Sequence, residues 1–171
     1  GPTDAIRQGI GMVHQHFMII PGFTTLENVV LGMEPGHGLT VDFRAARRKL
    51  SKLSDEYGLS VDPQAVTDDQ PVGVQQRVEI VKALYREAKI LILDEPTAVL
   101  TAQESEVLFR IIRKLAQDGV SIVLITHKLH EVMQVADTIT VLQQGRVSGV
   151  VPASDVNEPE LVQMMIGRAV R

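Results

Sequence analysis

Two carboxylates side by side at the end of an apolar run are the first feature of this sequence that could do chemistry. Ile90 to Leu93 is continuously apolar and is followed at once by Asp94 and Glu95. A buried strand that delivers acids at its carboxyl end has this pattern, and α/β sheets bind ligands there. One carboxylate so placed can hold the water shell of a magnesium ion while the second orients an attacking water, as a magnesium nucleotide site needs. The pair alone leaves the choice open, because helicases and other phosphate-loop ATPases also carry Asp-Glu after a strand, and two acids at a strand end can be plain surface residues. Upstream, Val72-Gly73-Val74-Gln75-Gln76-Arg77-Val78-Glu79 opens a helix. A glycine at a helix start leaves backbone N–H groups free to face an anion. Taken alone it is a glycine-initiated helix; taken with Ile90 to Pro96 it becomes specific. His14-x-His16 and His127-x-x-His130 have spacings a metal could use, but no third ligand stands near either, and no zinc site is expected.

The elements that must position these residues follow from periodicity. Apolar runs bounded by turn formers alternate with stretches of helical period, which points to α/β architecture with a largely parallel sheet. Ile10 to Val13 is a short strand. Asp42 to Tyr57 sets Phe43, Ala46, Leu50, Leu53 and Tyr57 on one stripe that Gly58 stops. Residues 62 to 71 read as loop, and Val74, Val78, Val81 and Tyr85 then recur at helical spacing. Thr101 and Glu104 form a T-x-x-E capping box ahead of Val107, Leu108, Ile111, Ile112 and Leu115, and that helix ends near Asp118-Gly119. Ser121 to Thr126 is expected to be the next buried strand, closing on His127, with a short helix from Leu129 to Ala136. Ile139 to Leu142 and Arg146 to Val151 flank Gln143-Gln144-Gly145, a three-residue hairpin connection. A closing helix is expected over 155 to 167. A mostly helical insertion, roughly residues 24 to 86, lies between the strand at residue 10 and the one at residue 90.

Composition bounds the function. In 171 residues, 44% hydrophobic and 22% charged, there is enough apolar side chain for a real core, and disorder is not expected. No stretch approaches the roughly 18 uninterrupted apolar residues that span a bilayer. The chain has no cysteine, which rules out disulfides and thiolate metal sites and agrees with a reducing compartment. A formal net charge of −4 argues against nucleic acid as a main ligand. Arg44, Arg47, Arg48 and Lys49 are a local exception, read as the solvated side of a helix, with an acidic partner or headgroup as the alternative.

In their order along the chain, Gln15, the Gly73-x-Gln-Gln-Arg helix, Leu93-Asp94-Glu95-Pro96-Thr97 and His127 resemble the ATP-binding cassettes of ABC transporters, and the resemblance covers essentially the whole sequence. It implies a P-loop NTPase-like α/β cassette. Residues 1–171 would form one partial nucleotide-binding domain, with 24–86 as a helical subdomain and 1–23 and 87–171 as the rest of the catalytic core. It further implies ATP and Mg²⁺ as cofactors. Asp94 matches the aspartate that holds Mg²⁺ and Glu95 the general base that polarises water. Gln15 matches the glutamine that touches metal and water and couples to the transmembrane partner, and His127 the histidine that contacts the γ-phosphate. Gly73, Gln75 and Gln76 match the signature helix that faces the ATP of a partner cassette. Outside that context, a strand-end glutamine or a lone histidine after a strand would read as structural.

Gly11 to Phe17, Glu27 to Gly32, Val72 to Ile80, Glu95 to Thr101 and the tail Glu160 to Arg168 look like the importers of simple sugars and nucleosides. The partners so implied are a second cassette, transmembrane permease subunits and, indirectly, a solute-binding protein, with the cassette at the cytoplasmic face of the membrane. Three departures stand out. The usual Leu-Ser-Gly-Gly reads Gln70-Pro71-Val72-Gly73, so a serine hydroxyl gives way to a proline that also lacks an N–H. The nearby loop that usually ends in aspartate ends in Thr101. No G-x-x-x-x-G-K-[ST] occurs, so the chain is expected to begin after the phosphate loop and, alone, to bind nucleotide weakly or not at all. A soluble ABC ATPase outside transport and a non-catalytic binding segment are the competing expectations.

Overall fold

A computed structural model describes residues 1–32 and 42–166. They form two compact units, Gly1–Ile125 and Thr126–Arg171, taken here in turn.

The first unit is built on three parallel strands in the order β1-β2-β3: Ile10–Val13, Ile90–Asp94 and Ser121–Ile125. Val13 lies opposite Leu93, Leu93 opposite Leu124, and Asp94 opposite Ile125, so all three carboxyl ends share one edge. Gly11 lets β1 approach its neighbours closely, since a Cβ there would come within 2.9 Å of the Ala83 side chain and 3.1 Å of that of Ala88. A short α1 (Pro2–Arg7) precedes β1. Between β1 and β2 run α2 (Thr25–Val30), α3 (Phe43–Tyr57) and α4 (Val72–Tyr85), which pack on one another, and α4 also packs on β1. Between β2 and β3 runs α5 (Ala102–Gln117).

The helix boundaries have local causes. Thr24 and Glu27 form a capping box at the start of α2, and Thr101 and Glu104 form one at the start of α5. Asp42 caps α3 by accepting from Ala45 N–H at 2.9 Å, and Gly58 ends that helix with φ +65°. The apolar stripe of α3 differs from expectation at both ends. Phe43, the first helical residue, is 46% exposed, while Ser54 is buried because its hydroxyl accepts the Val61 N–H at 3.2 Å. Helix α4 has no stripe at all; it is buried nearly all round because α2, α3 and β1 surround it.

The expectation of a buried β3 is corrected. Val123 and Ile125 are each 46% exposed, and Met12, which is in register with Ile92 and Val123, is 40% exposed. The helices cover the face that carries Val13, Leu91 and Leu93, and the alternate residues of each strand face outward uncovered.

In the second unit α6 (Leu129–Val135) leads to the antiparallel pair β4 (Thr138–Gln143) and β5 (Arg146–Pro152), then a 3₁₀ turn at Ala153–Asp155 and α7 (Glu158–Met165). Ile139, Val141 and Leu161 form its core. The hairpin connection is two residues, not three: Gln143 pairs with Arg146, and Gln144 and Gly145 both take positive φ, 48° and 74°. A turn with two left-handed centres matches the twist of the flanking strands, so pairing extends one residue further. The closing helix starts at Glu158 because Asn157 caps it, accepting from Glu160 N–H at 3.0 Å. The expected helix end at residue 167 and the tail residue Arg168 lie outside the described residues. Among the described residues no helix is long and apolar enough to cross a membrane.

Candidate functional site

The carboxyl edge of the parallel sheet gathers the first group of site residues. Asp94 is the last residue of β2, half-buried, and Glu95 turns the chain away from the sheet with φ +45°, a left-handed conformation uncommon for glutamate. The turn is held firmly. Glu95 N–H donates to the Ile125 carbonyl at 2.8 Å, and Ala98 N–H donates back to the Glu95 carbonyl at 3.1 Å. Pro96 and Thr97 are buried, and the Gln76 side-chain amide donates to the Pro96 carbonyl. Gln15 follows β1 by two positions and reaches the same edge on an exposed stretch, His14 to His16. Sheet topology therefore brings Gln15, Asp94 and Glu95 to one edge. His127 is exposed and belongs to the second unit, where it precedes α6.

The start of α4 contributes the second group. Pro71 is the N-cap and offers no side-chain bond, so the first turn depends on other acceptors. Gly73 N–H has one: the Glu104 carboxylate of α5 accepts it. A Cβ on Gly73 would lie 2.6 Å from Glu104 Oε1, so only glycine leaves that carboxylate its place. Glu104 also accepts from Thr101 N–H at 2.9 Å and from the Thr101 hydroxyl at 3.0 Å. These bonds, the Thr101 backbone first, hold its carboxyl below the ordinary value of 4.5, with smaller help from the Arg77 charge and Gly73. Gln75 Nε2 donates to the carbonyls of Gln70 (2.8 Å) and Asp68 (3.3 Å), and Gln76 is buried against Pro96. Both expected signature glutamines thus use an amide N–H group within their own chain. Burial lowers the pKa of Arg77, the next residue, and Glu104 opposes that shift.

Among the described residues no group of three or more His, Cys, Asp or Glu could cage a metal. That donor set still fits magnesium, which keeps several waters and takes one or two carboxylates with the oxygens of a bound phosphate. Asp94 would be the protein ligand and Gln15 a neutral oxygen at the same edge. The glycine-rich, lysine-bearing loop that cradles nucleotide phosphates is not in these 171 residues.

Sequence reading missed three contacts. Glu79 and Lys82 reach the loop after β1, Asn28 folds that loop back on α2, and Glu104 reaches Gly73. One signal was available for the first: Glu79 and Lys82 interrupt an apolar run, Val78 to Leu84, on a helix buried all round. Charges in such a place must have partners.

The ABC transporter family model matches residues 2–98. The nucleoside import ATP-binding protein NupA of Lactococcus lactis subsp. cremoris is 51% identical over 169 residues, covering 99% of this chain and 33% of that protein. The guanosine import ATP-binding protein NupO of Bacillus subtilis is 47% identical over 169 residues, again 99% and 33%. Ribose import ATP-binding protein RbsA 3 of Rubrobacter xylanophilus is 41% identical over 170 residues, 99% and 34%. The chain therefore spans about a third of the length of the curated relatives it matches. Among solved structures, a dimeric bacterial ABC transporter cassette superposes with a TM-score of 0.72 at 26% identity, covering 88% of this chain and 66% of that one. The α/β expectation with a parallel sheet agrees with that neighbour. With the family model spanning more than half of the sequence and the strand-end acids inside the matched range, this chain belongs to the ABC transporter family.

Proposed function

We propose that the chain forms part of the ATP-binding cassette of an importer for a nucleoside or simple sugar, working at the cytoplasmic face of a membrane. The observation that carries this reading is the pinned Asp94-Glu95 turn at the same sheet edge as Gln15. The printed roles of NupA, NupO and RbsA 3 support the importer branch. The chemistry a magnesium nucleotide supplies at such an edge is transfer of its terminal phosphoryl group to water. Asp94 would hold the metal's water shell, Glu95 would take a proton from water, and Gln15 would orient that water. By their match to the family pattern, His127 would contact the terminal phosphate, and the α4 start at Gly73 would face the nucleotide of a second cassette. Membrane subunits receive the resulting motion, and a solute-binding protein delivers the cargo. On its own the chain binds nucleotide weakly or not at all, for want of a lysine-bearing phosphate loop.

The test is steady-state Mg-ATP hydrolysis by paired cassettes in which these residues are joined to such a loop. Glu95→Gln should lower kcat by about 10²-fold or more, in the range of losing a positioned general base. Hydrolysis that survives Glu95→Gln and Asp94→Asn together would retire the assignment.

A further inference from the structure

We infer that Glu79 and Lys82 of α4 are positioning residues for Gln15, clamping the main chain of Met18 to the helix that begins at Gly73. The inference rests on the proposed role of Gln15 at a magnesium nucleotide. Met18 N–H donates to Glu79 Oε2 at 3.4 Å, and Lys82 Nζ donates to the Met18 carbonyl at 2.9 Å. Lys82 Nζ also lies 3.1 Å from Glu79 Oε1, and the Glu79 side chain is only 4% exposed. A buried ion pair is tolerated when its remaining donors and acceptors are satisfied, and here both partners spend theirs on one residue of a loop. Holding the N–H and the carbonyl of Met18 together fixes the peptide units on either side of its Cα. That sets direction as well as place.

Between the end of β1 at Val13 and Met18, no turn or loop hydrogen bond holds the main chain among the described residues. Beyond Met18 the loop is fixed again. Asn28, 2% exposed, accepts from Ile20 N–H at 2.8 Å and donates to the Ile20 carbonyl at 3.4 Å. Gln15 therefore rides on a short tether whose ends are the sheet at Val13 and α4 at Met18. At about 1.5 Å of rise per residue, Gly73 and Glu79 lie roughly 9 Å apart along one well-packed helix. A displacement of the helix start is carried to Met18 and so to Gln15. The clamp ties the far end of the Gln15 tether to the helix that begins at Gly73.

The test uses the full chain, labelled with ¹⁵N, as wild type and as K82M, K82R and E79Q, with the denaturation midpoint of each. K82M should lower the order parameters of Met18 and Gln15 by about 0.2, enough to leave the rigid-backbone range, while Val13 keeps its wild-type value. K82R, which still donates to the Met18 carbonyl, should restore both. E79Q keeps an acceptor for the Met18 N–H and loses only the charge. It should loosen Met18 in the same direction, and it decides the matter if K82M does not fold. In paired, hydrolysing cassettes K82M should lower kcat about 10-fold, with KM for Mg-ATP within about 2-fold, and K82R should recover the rate. Unchanged order at Gln15, an unchanged kcat, or no rescue by K82R would overturn the inference. A wild-type assembly that fails to hydrolyse ATP would retire the nucleotide reading instead, and the order parameters would still decide the clamp.

Discussion

The loops that leave β1 and β2 start at the same sheet edge and are built in opposite ways. After β2 the chain turns through a left-handed Glu95, bonds to Ile125, and buries Pro96 and Thr97 under the Gln76 amide. After β1 it runs exposed through His14, Gln15 and His16 and is first caught at Met18 by two charged side chains of a helix. The acid turn is bonded both to β3 and to α4, whereas the amide stretch is held only at its two ends.

The comparison breaks most completely if the floor beneath the acid turn is removed. Leu93 is fully buried in β2 directly before Asp94. Leu93→Ala should cost about 2 to 5 kcal/mol in chemical denaturation, the range for a large-to-small core change. Next, Gln76→Leu keeps the volume but leaves the buried Pro96 carbonyl without its donor. It should cost about 1 to 3 kcal/mol, and loosening should appear at residues 94–98 rather than in α4.

A smaller effect sharpens the link between the starts of α4 and α5. Thr101→Ala removes the cap that Glu104 reciprocates and should cost about 1 kcal/mol near neutral pH. Its pH dependence is the more telling readout. Glu104 has a folded pKa below its ordinary 4.5, so its contribution is full above that value and is lost as pH falls through the lower, folded one. Wild type and Thr101→Ala should converge in stability as the pH is lowered below about 4.5, the ordinary carboxyl value, and a constant gap would speak against the assignment. Smallest of all, Gln15→Ala should change folding stability by less than about 0.5 kcal/mol, because an exposed side chain on a stretch held only at its ends holds nothing together. A large loss there would mean that the β1 loop is as built-in as its neighbour.

Much of this was legible in the sequence. The T-x-x-E box at Thr101, Gly58 after α3 and the acids after Leu93 announce themselves because caps and strand ends are local and their signals lie within a few residues. The contacts that distinguish the two loops are not local. Met18 meets Glu79 and Lys82 across 61 and 64 residues, and no periodicity records such a pairing. Helix α4 also hides its purpose, since burial on all sides erases the stripe by which amphipathic helices are found. Strand β3 misled for the converse reason: Val123 and Ile125 look like core in composition, yet they point to the uncovered face of the sheet.

Amide hydrogen exchange of Glu95 and Gln15 in one sample tests the division between a built-in acid turn and a carried amide most directly. Glu95 N–H, bonded to Ile125, should exchange at least about 10²-fold more slowly than Gln15 N–H, as protected and open amides of one domain do. Equal protection at the two positions would contradict the account.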